Sequence, residues 1–202
     1  MRRVVVLSSG AVTGGFDTTF HLPVERAVED SGLEWTHVRP GEFAYNKSAL
    51  WGPSIRAERV VRHPDPGAAW FPVHERDIAD AAVAALLNDG HTGNAYTLNG
   101  PDLLSLREQT EAISAAIGAG IRFEKVTPHE AKRLYLRQGG FAAEAADFLL
   151  GFEDYDGNPA DPYTAEAFDP SVLGPQPTIH DAIGTPARTF AEWARDHADD
   201  FR

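Results

Sequence analysis

The chain has 202 residues, a length that suits a single domain with a substantial core. It contains no cysteine, which excludes a disulfide framework, a thiolate nucleophile and cysteine metal sites. Its formal net charge of −12 argues against a general affinity for nucleic acid or for an anionic membrane. No apolar run approaches the length of a membrane span and no signal-peptide core opens the chain, so we expect a cytoplasmic location.

The first element that the sequence predicts is a strand over residues 3–9. Its apolar residues run continuously, which is typical of a strand buried on both faces of a parallel sheet. The glycine-rich segment 10–15 follows, but it lacks the G-x-G-x-x-G spacing and does not open directly into a helix. A pyrophosphate needs the N–H groups of a helix N-terminus, so we predict a loop beside a pocket rather than a phosphate site.

A helix, a strand and a polar break come next. The helix is predicted over residues 23–30, and Gly32 ends it by adopting a positive φ. Residues 33–38 are rich in apolar and β-branched side chains and predict a strand, which Arg39 and the following Pro-Gly pair break. In an open α/β sheet ligands bind at the carboxyl ends of the strands, so we place the site at this break.

Residues 31–46 carry a long, ordered pattern, Ser-Gly-Leu-x-Trp-Thr-x-x-Arg-Pro-Gly-x-Phe-x-x-Asn. This segment resembles the NmrA-like group of atypical short-chain dehydrogenases/reductases, and residues 184–193 are similar to the closing segment of that family. The resemblance implies an α/β fold, with a truncated Rossmann-like (doubly wound) parallel sheet over residues 1–100. A small, mostly helical α+β substrate-binding portion would occupy residues 101–202, and we treat both portions as one domain.

The same resemblance makes the first strand of this chain the fifth strand of the family's sheet. The chain would then start where the second half of such a protein starts, without the glycine-rich loop, the ribose-binding positions and most of the dinucleotide site. Either the protein is naturally truncated or another chain supplies the missing half. From this chain we therefore expect no cofactor, and NAD(P) only if the protein is an oxidoreductase.

The resemblance also bears on acid/base groups. A Tyr-x-x-x-Lys pair occupies this region in short-chain reductases, where this chain has Asp17 and His21, so the usual proton relay is not encoded. Histidine titrates near neutral pH and a neighbouring carboxylate raises its basicity, so His21 and Glu25 can form an acid/base pair. The alternative is a solvated helix face.

The remaining elements follow from periodicity and caps. We expect, in order, a strand pair (57–61 and 69–73), a helix ending at Leu87, a strand (93–98), a helix (106–117), a strand (121–126), a helix from Thr127 and a helix (139–150). Asp77 is predicted as a cap or first-turn residue. Neither the His-Glu pair at 74–75 nor the acidic loop at 154–158 has the full spacing of a zinc or calcium motif, so no metal is expected.

A sheet without its first half leaves the strand at residues 4–9 with an exposed apolar edge, which is a pairing hazard. We predict a homodimer, or a partner protein, that covers this edge. The other partner that we expect is a small-molecule substrate.

Three functions fit the sequence. The first is a small-molecule enzyme that has lost its NAD(P) site and works by redox-independent acid/base chemistry, as an isomerase, cyclase or dehydratase. The second is an NAD(P)H-dependent oxidoreductase whose cofactor half is missing from this chain, and the third is a non-catalytic ligand-sensing or regulatory module. We favour the first, because the chain begins with Met and its elements run without a break.

The candidate site residues lie at the predicted strand ends and in the loops beside them. The candidates for catalysis are His21, Glu25, Ser9 and His74. The candidates for substrate contact are Ser8, Arg39, Glu42, Phe43, Tyr45, Asn46 and Trp51. Serines can hydrogen-bond a carbonyl and aromatic side chains can form an apolar wall. Each has a structural alternative, since serines also bond to backbone, arginine also pairs with acidic neighbours and aromatics also fill cores.

Overall fold

The computed structural model describes residues 2–164 and 178–202, which form two compact units. The first unit comprises residues 2–44, 71–103 and 178–189, and the second comprises residues 45–70, 104–164 and 190–202. The chain therefore enters the second unit at residue 45, returns at 71 and leaves again at 104. This differs from the predicted boundary near residue 100, and the prediction of a single domain stays a prediction.

The first unit is an α/β structure. Its elements are β1 (Arg3–Leu7), α1 (Gly10–Thr13), α2 (His21–Glu29), β2 (Glu34–Pro40), α4 (Glu75–Leu87), β5 (Asn94–Leu98) and α9 (Thr178–Ile183). The three strands form one parallel sheet in the order β1-β2-β5, with Val5 opposite Thr36 and Val38 opposite Tyr96. The predicted α/β class is confirmed.

The centre of this sheet is buried and its β1 side is not. Val38 and Leu98 are fully buried and belong to a core cluster that also contains Val73 and Ile78. The residues of β1, in contrast, are half-buried, and Leu7 is 59% exposed. A parallel strand with helices on both faces is normally buried throughout. The β1 side of the unit is therefore its incompletely covered end.

β1 has one bonded edge and one open edge. Glu34 N–H donates to the carbonyl of Arg2, and Ser8 N–H donates to the carbonyl of Val38, so the even-numbered residues of β1 bond to β2. In a parallel strand alternate residues direct N–H and C=O to opposite sides, so the odd-numbered residues Arg3 to Leu7 direct theirs to the other edge. No strand pairs with that edge in residues 2–164 or 178–202.

Arg3 ties the start of β1 to the end of α4. Its Nη1 donates to the carbonyls of Leu86 (3.1 Å) and Asn88 (2.7 Å), and Nη2 meets Asp89 at 2.9 Å. The last carbonyls of a helix lack intrahelical partners and carry the negative end of the helix dipole, so a cation there is favourable.

The second unit is mostly helical. It contains α3 (Asn46–Glu58), β3 (Val60–His63), β4 (Ala69–Trp70), β6 (Leu104–Ser105), α5 (Leu106–Ile117), β7 (Arg122–Lys125), α6 (Pro128–Gln138), α7 (Gly140–Glu144), α8 (Ala146–Leu149), α10 (Phe190–Asp196) and a 3₁₀ turn (Ala198–Phe201). None of the helices described in either unit is long and apolar enough to cross a membrane.

The predicted strand pair at residues 57–61 and 69–73 is wrong. Residues 57–58 end α3, Arg59 caps that helix with φ of 55°, and β3 pairs in parallel with β7. β4 pairs instead with β6 in antiparallel fashion. Both partners lie tens of residues further on, so a turn signal between the two predicted strands could not identify them.

α3 contains Pro53, which removes one intrahelical hydrogen bond and leaves the carbonyl of Ala49 without its usual donor. Nε2 of Gln138 donates to that carbonyl at 2.7 Å. The side chain from α6 therefore replaces the bond that proline removes.

The open edge of β1 generates a prediction about assembly. We expect the protein to be a dimer at micromolar concentration, because exposed backbone groups beside apolar side chains favour strand pairing. Leu7→Lys places a charge on this edge and should shift the mass measured by light scattering towards that of the monomer. Leu136→Lys, at a leucine of similar exposure in the second unit (52%), should leave the mass unchanged. A wild-type monomer would contradict the prediction.

Candidate active site

The carboxyl ends of the three parallel strands meet at one edge of the first unit. α1 follows β1 there, and α2 begins there, because a helix that joins parallel strands runs back against their direction. Oγ1 of Thr13 in α1 lies 2.7 Å from Oγ1 of Thr97 in β5. Gly41 N–H donates to the carbonyl of Leu98, and a Cβ on Gly41 would lie 2.3 Å from Oδ1 of Asn99. A larger residue at position 41 would therefore require the Asn99 side chain to move.

A buried ion pair joins α2 to the end of β2. Nε of Arg39 donates to Oε1 of Glu25 at 2.9 Å, and Nη2 donates to Oε2 at 2.5 Å. Nη1 of Arg39 reaches Oγ1 of Thr13 at 3.4 Å. Glu25 is 0% exposed. Burial raises the pKa of Glu25, but the hydrogen bonds and charge of Arg39 outweigh it and hold the pKa below its ordinary value of 4.5.

His21 pairs with Asp17 and not with Glu25, which corrects the predicted acid/base pair. Nδ1 of His21 lies 2.5 Å from Oδ2 of Asp17, and Asp17 is 1% exposed. The same carboxylate accepts the backbone N–H groups of Phe20 (3.0 Å) and His21 (3.0 and 3.1 Å). One carboxylate therefore caps α2 and orients the imidazole. This cap also explains why α2 begins at His21, two residues before the predicted start.

Glu25 belongs to a wider set of polar side chains on α2 and β2. Possible metal ligands on Glu25, Glu29 and His37 lie within 4.8 Å of one another, and Nε2 of His37 is 3.1 Å from Oε1 of Glu29. Both carboxylate oxygens of Glu25 already accept hydrogen bonds from Arg39. A cation would have to displace the guanidinium, so we interpret the group as an ion-pair network.

Two candidates for catalysis are helix caps. Oγ of Ser9 accepts the N–H two residues later, at 3.1 Å, and starts α1. Nδ1 of His74 accepts the N–H two residues later, at 3.2 Å, and starts α4. Asp77 lies in the first turn of α4, as predicted, and its Oδ2 accepts the N–H of Arg188 at 2.9 Å. These contacts give Ser9 and His74 structural roles.

The candidates for substrate contact are divided between the units. In the first unit Ser8 is buried near Glu25 and helps to lower the pKa of that group, although its hydroxyl makes no bond of standard geometry in the described part of the chain. The carbonyl of Glu42 accepts the N–H of Val73 at 2.8 Å, and Phe43 packs against the core cluster.

Tyr45, Asn46 and Trp51 lie in the second unit. Tyr45 is exposed and meets the ring of His197 edge-on, and Asn46 is the first residue of α3. Trp51 is buried, lies under the ammonium group of Lys47 and lines a cavity of about 260 Å³.

Comparison with known proteins places the chain in a family, although no family model matches it. It is 35% identical over 205 residues to the (4-alkanoyl-5-oxo-2,5-dihydrofuran-3-yl)methyl phosphate reductase of Streptomyces griseus, across 100% of this chain and 68% of that protein. It is also 35% identical over 176 residues to an NAD(P)H azoreductase of Xenophilus azovorans, across 86% of this chain and 56% of that protein. The chain belongs to the NmrA-like family of NAD(P)-dependent reductases.

Solved structures show the same fold. Citrobacter sp. triphenylmethane reductase in complex with NADP(H) gives a TM-score of 0.72 at 16% identity, across 98% of this NmrA-like chain and 65% of that one. An NADPH-dependent quinone oxidoreductase of Escherichia coli gives 0.70 at 19% identity, across 97% and 65%. At these identities the likeness concerns the fold alone, and the predicted Rossmann-like class is confirmed. The chain spans roughly two-thirds of the length of these proteins.

The relatives overturn two predictions. The two relatives matched at 35% identity are reductases, one of them named for NAD(P)H, so the hypothesis of a redox-independent isomerase, cyclase or dehydratase is wrong. The expectation of no cofactor is wrong for the same reason, since the azoreductase named for NAD(P)H points to a nicotinamide cofactor. Absence of a dinucleotide fingerprint led to both errors.

The starts of α1 and α2 in the NmrA-like chain do not fit the pyrophosphate of such a cofactor. Pyrophosphate binds to N–H groups at a helix N-terminus, where the dipole favours negative charge. At α2 those of Phe20 and His21 donate to the carboxylate of Asp17, whose own charge would repel a phosphate. At α1, which has four residues, Ser9 already accepts the N–H of Ala11.

Three residues of this site were missed as partners from the sequence. Thr13 and Thr97 bond across 84 positions, and nothing local to either residue indicates such a contact. Asp17 did carry a signal, since it precedes His21 by four residues, but Glu25 follows His21 at the same spacing. Sequence spacing alone could not decide between the two carboxylates.

The Glu25–Arg39 pair generates a prediction about stability. Glu25→Gln keeps the side-chain shape but leaves the guanidinium without a counter-charge, so the free energy of unfolding in urea should fall by about 2–3 kcal/mol. We expect a smaller loss than for a fully buried ion pair, because the Arg39 side chain is 19% exposed. Glu58→Gln removes a more exposed partner of Arg62 and should change the stability much less. Equal losses in the two variants would contradict the prediction.

The same pair has a defined pH dependence. Because the pKa of Glu25 is lowered in the folded protein, its stabilising contribution is fully present above about pH 4.5 and is lost as the pH falls through the lowered value. The stability gap between wild type and Glu25→Gln should therefore be constant near neutral pH and close in acid. A gap that widens in acid would show that another group dominates.

Proposed function

We propose that this chain is the substrate-side part of an NAD(P)H-dependent reductase that acts on small conjugated organic acceptors. The observation that carries the proposal is the 35% identity, across the whole chain, with a reductase. The azoreductase, matched at the same identity over 86% of the chain, supports NAD(P)H as the donor.

The acceptor class rests on the chemistry of the relatives' names and on one surface of this chain. An azo group and an alkanoyl-substituted dihydrofuranone both contain a π bond that can accept a hydride, N=N in the first and a C=C conjugated with carbonyl groups in the second. Phe20, at the start of α2, is 72% exposed, and Phe16 is 44% exposed. Exposed aromatic rings beside His21 suit a flat, conjugated ligand.

The cofactor's phosphates would be bound by residues outside those described, since neither α1 nor α2 offers them open N–H groups. We propose that these residues belong to a preceding Rossmann-type half, as the resemblance implies. A small-molecule substrate, an assembly through β1 and a cytoplasmic location are further parts of the proposal.

A donor series tests the proposed function with the 202-residue chain. Reduced nicotinamide mononucleotide carries only the nicotinamide end of the cofactor, whereas NADPH and NADH carry the second phosphate and the adenosine. If this chain contacts only the nicotinamide end, all three donors should reduce menadione or an azo dye with similar kcat/KM and millimolar KM. Donor oxidation is followed by absorbance at millimolar concentrations.

The outcomes separate the alternatives. A strong preference for NADPH and NADH over the mononucleotide would show that this chain itself binds the adenosine or the second phosphate. Binding of an acceptor without oxidation of any donor would favour a ligand-sensing module, and neither binding nor turnover would contradict the proposed function.

A further inference from the structure

We propose that Asp17 and His21 form the proton donor of this reductase, with His21 as the catalytic residue and Asp17 as its positioning residue. The inference rests on the proposed function, because a hydride that reaches an organic acceptor must be matched by one proton. Neither the tyrosine nor the lysine of short-chain reductases occupies these two positions.

The carboxylate of Asp17 is held in one orientation. Its two oxygens accept the N–H groups of Phe20 and His21, and only 1% of the residue is exposed. Oδ2 then meets Nδ1 of His21 at 2.5 Å. A carboxylate can only accept, so it selects the ring tautomer with hydrogen on Nδ1. Nε2 is thereby left as the atom that takes up and releases a proton, which is the role of the imidazole in Asp-His pairs of hydrolases.

The position of His21 suits this role. His21 is the first residue of α2, at the edge of the sheet where the strands' carboxyl ends lie. Its side chain is 29% exposed, so a ligand can reach the ring, and the ring of Phe20 packs edge-on at 4.7 Å. A flat acceptor lying on this aromatic surface would bring its reducible group close to the imidazole.

The proton-transfer step balances as follows. A reduced nicotinamide would supply the hydride, and addition of hydride to one atom of the acceptor's π bond would place the π electrons on the other atom. The N–H bond at Nε2 of protonated His21 breaks, its electron pair stays on the ring, and the proton joins the negatively charged atom. Solvent then returns a proton to the ring.

Asp17→Asn tests the positioning role. Asn keeps one oxygen to cap α2 but replaces Oδ2 with an NH₂ group, which would donate to Nδ1 and move the ring hydrogen to Nε2. The ¹⁵N chemical shifts of His21 report the tautomer without any turnover. We expect hydrogen on Nδ1 in wild type and on Nε2 in Asp17→Asn, and the same tautomer in both proteins would overturn the inference.

Turnover tests the catalytic role. With menadione as acceptor, His21→Ala and Asp17→Asn should each lower kcat by about a hundredfold. Added imidazole should restore part of the activity of His21→Ala and none of the activity of Asp17→Asn. His180→Ala, at an exposed histidine of α9, is the matched control and should leave kcat unchanged. Full activity of His21→Ala, or absence of rescue, would overturn the inference.

Binding of menadione to His21 can be measured without turnover, so this test does not depend on the proposed function. Menadione added without any donor should shift the Nε2 resonance of His21 in wild type, and no shift at saturating menadione would overturn the inference. If the wild-type protein oxidises no donor, the proposed function is contradicted but the inference is still tested. The tautomer measurement then decides whether Asp17 orients His21, and the menadione measurement decides whether a ligand contacts His21.

Discussion

The guanidinium of Arg39 constrains the whole carboxyl edge of the first unit. Its Nε and Nη2 donate hydrogen bonds to the two carboxylate oxygens of Glu25 on α2, and its Nη1 reaches Thr13 on α1. Thr13 in turn contacts Thr97 on β5. Desolvating an ion pair is costly, and removal of one partner leaves an uncompensated buried charge. The pair ties α2 to the end of β2, and the first turn of α2 carries His21, which contacts Asp17.

Much of the fold was predictable because its signals are local. Continuous apolar runs indicated parallel strands at β1 and β2, although β1 is half-buried and not buried on both faces as predicted, and glycine and serine indicated the ends of α5. The partners of β3 and β4 were not predictable, because pairing with β7 and β6 is decided by packing across long separations. α3 was missed as well, since Pro53 argues against a helix until Gln138 is seen to bond the released carbonyl.

The pairing within the candidate site was not predictable from the sequence. His21 was predicted to pair with Glu25, but two acidic residues flank it at equal spacing and it contacts Asp17 instead. Arg39 decides between them by engaging Glu25, and this depends on a β2 residue that local reasoning assigned to a strand break. Ser9 and His74 became candidates because of their residue types, whereas backbone N–H groups at two helix starts account for their contacts. The predicted function was wrong because absence of the dinucleotide-binding motif was taken to mean that the protein does not use a nicotinamide cofactor.

The hydrogen bonds from the Arg3 guanidinium to the end of α4 have a consequence for synthesis of the chain on the ribosome. β1 is synthesised before α4, and the carbonyls that hold Arg3 belong to positions 86 and 88 at the end of that helix. Until α4 has been made, the Val4–Val6 run lacks the helix that packs against β1. Such an apolar, β-branched segment is prone to pair with other chains. The order of these two elements therefore makes β1 a segment that would benefit from protection by a chaperone during translation.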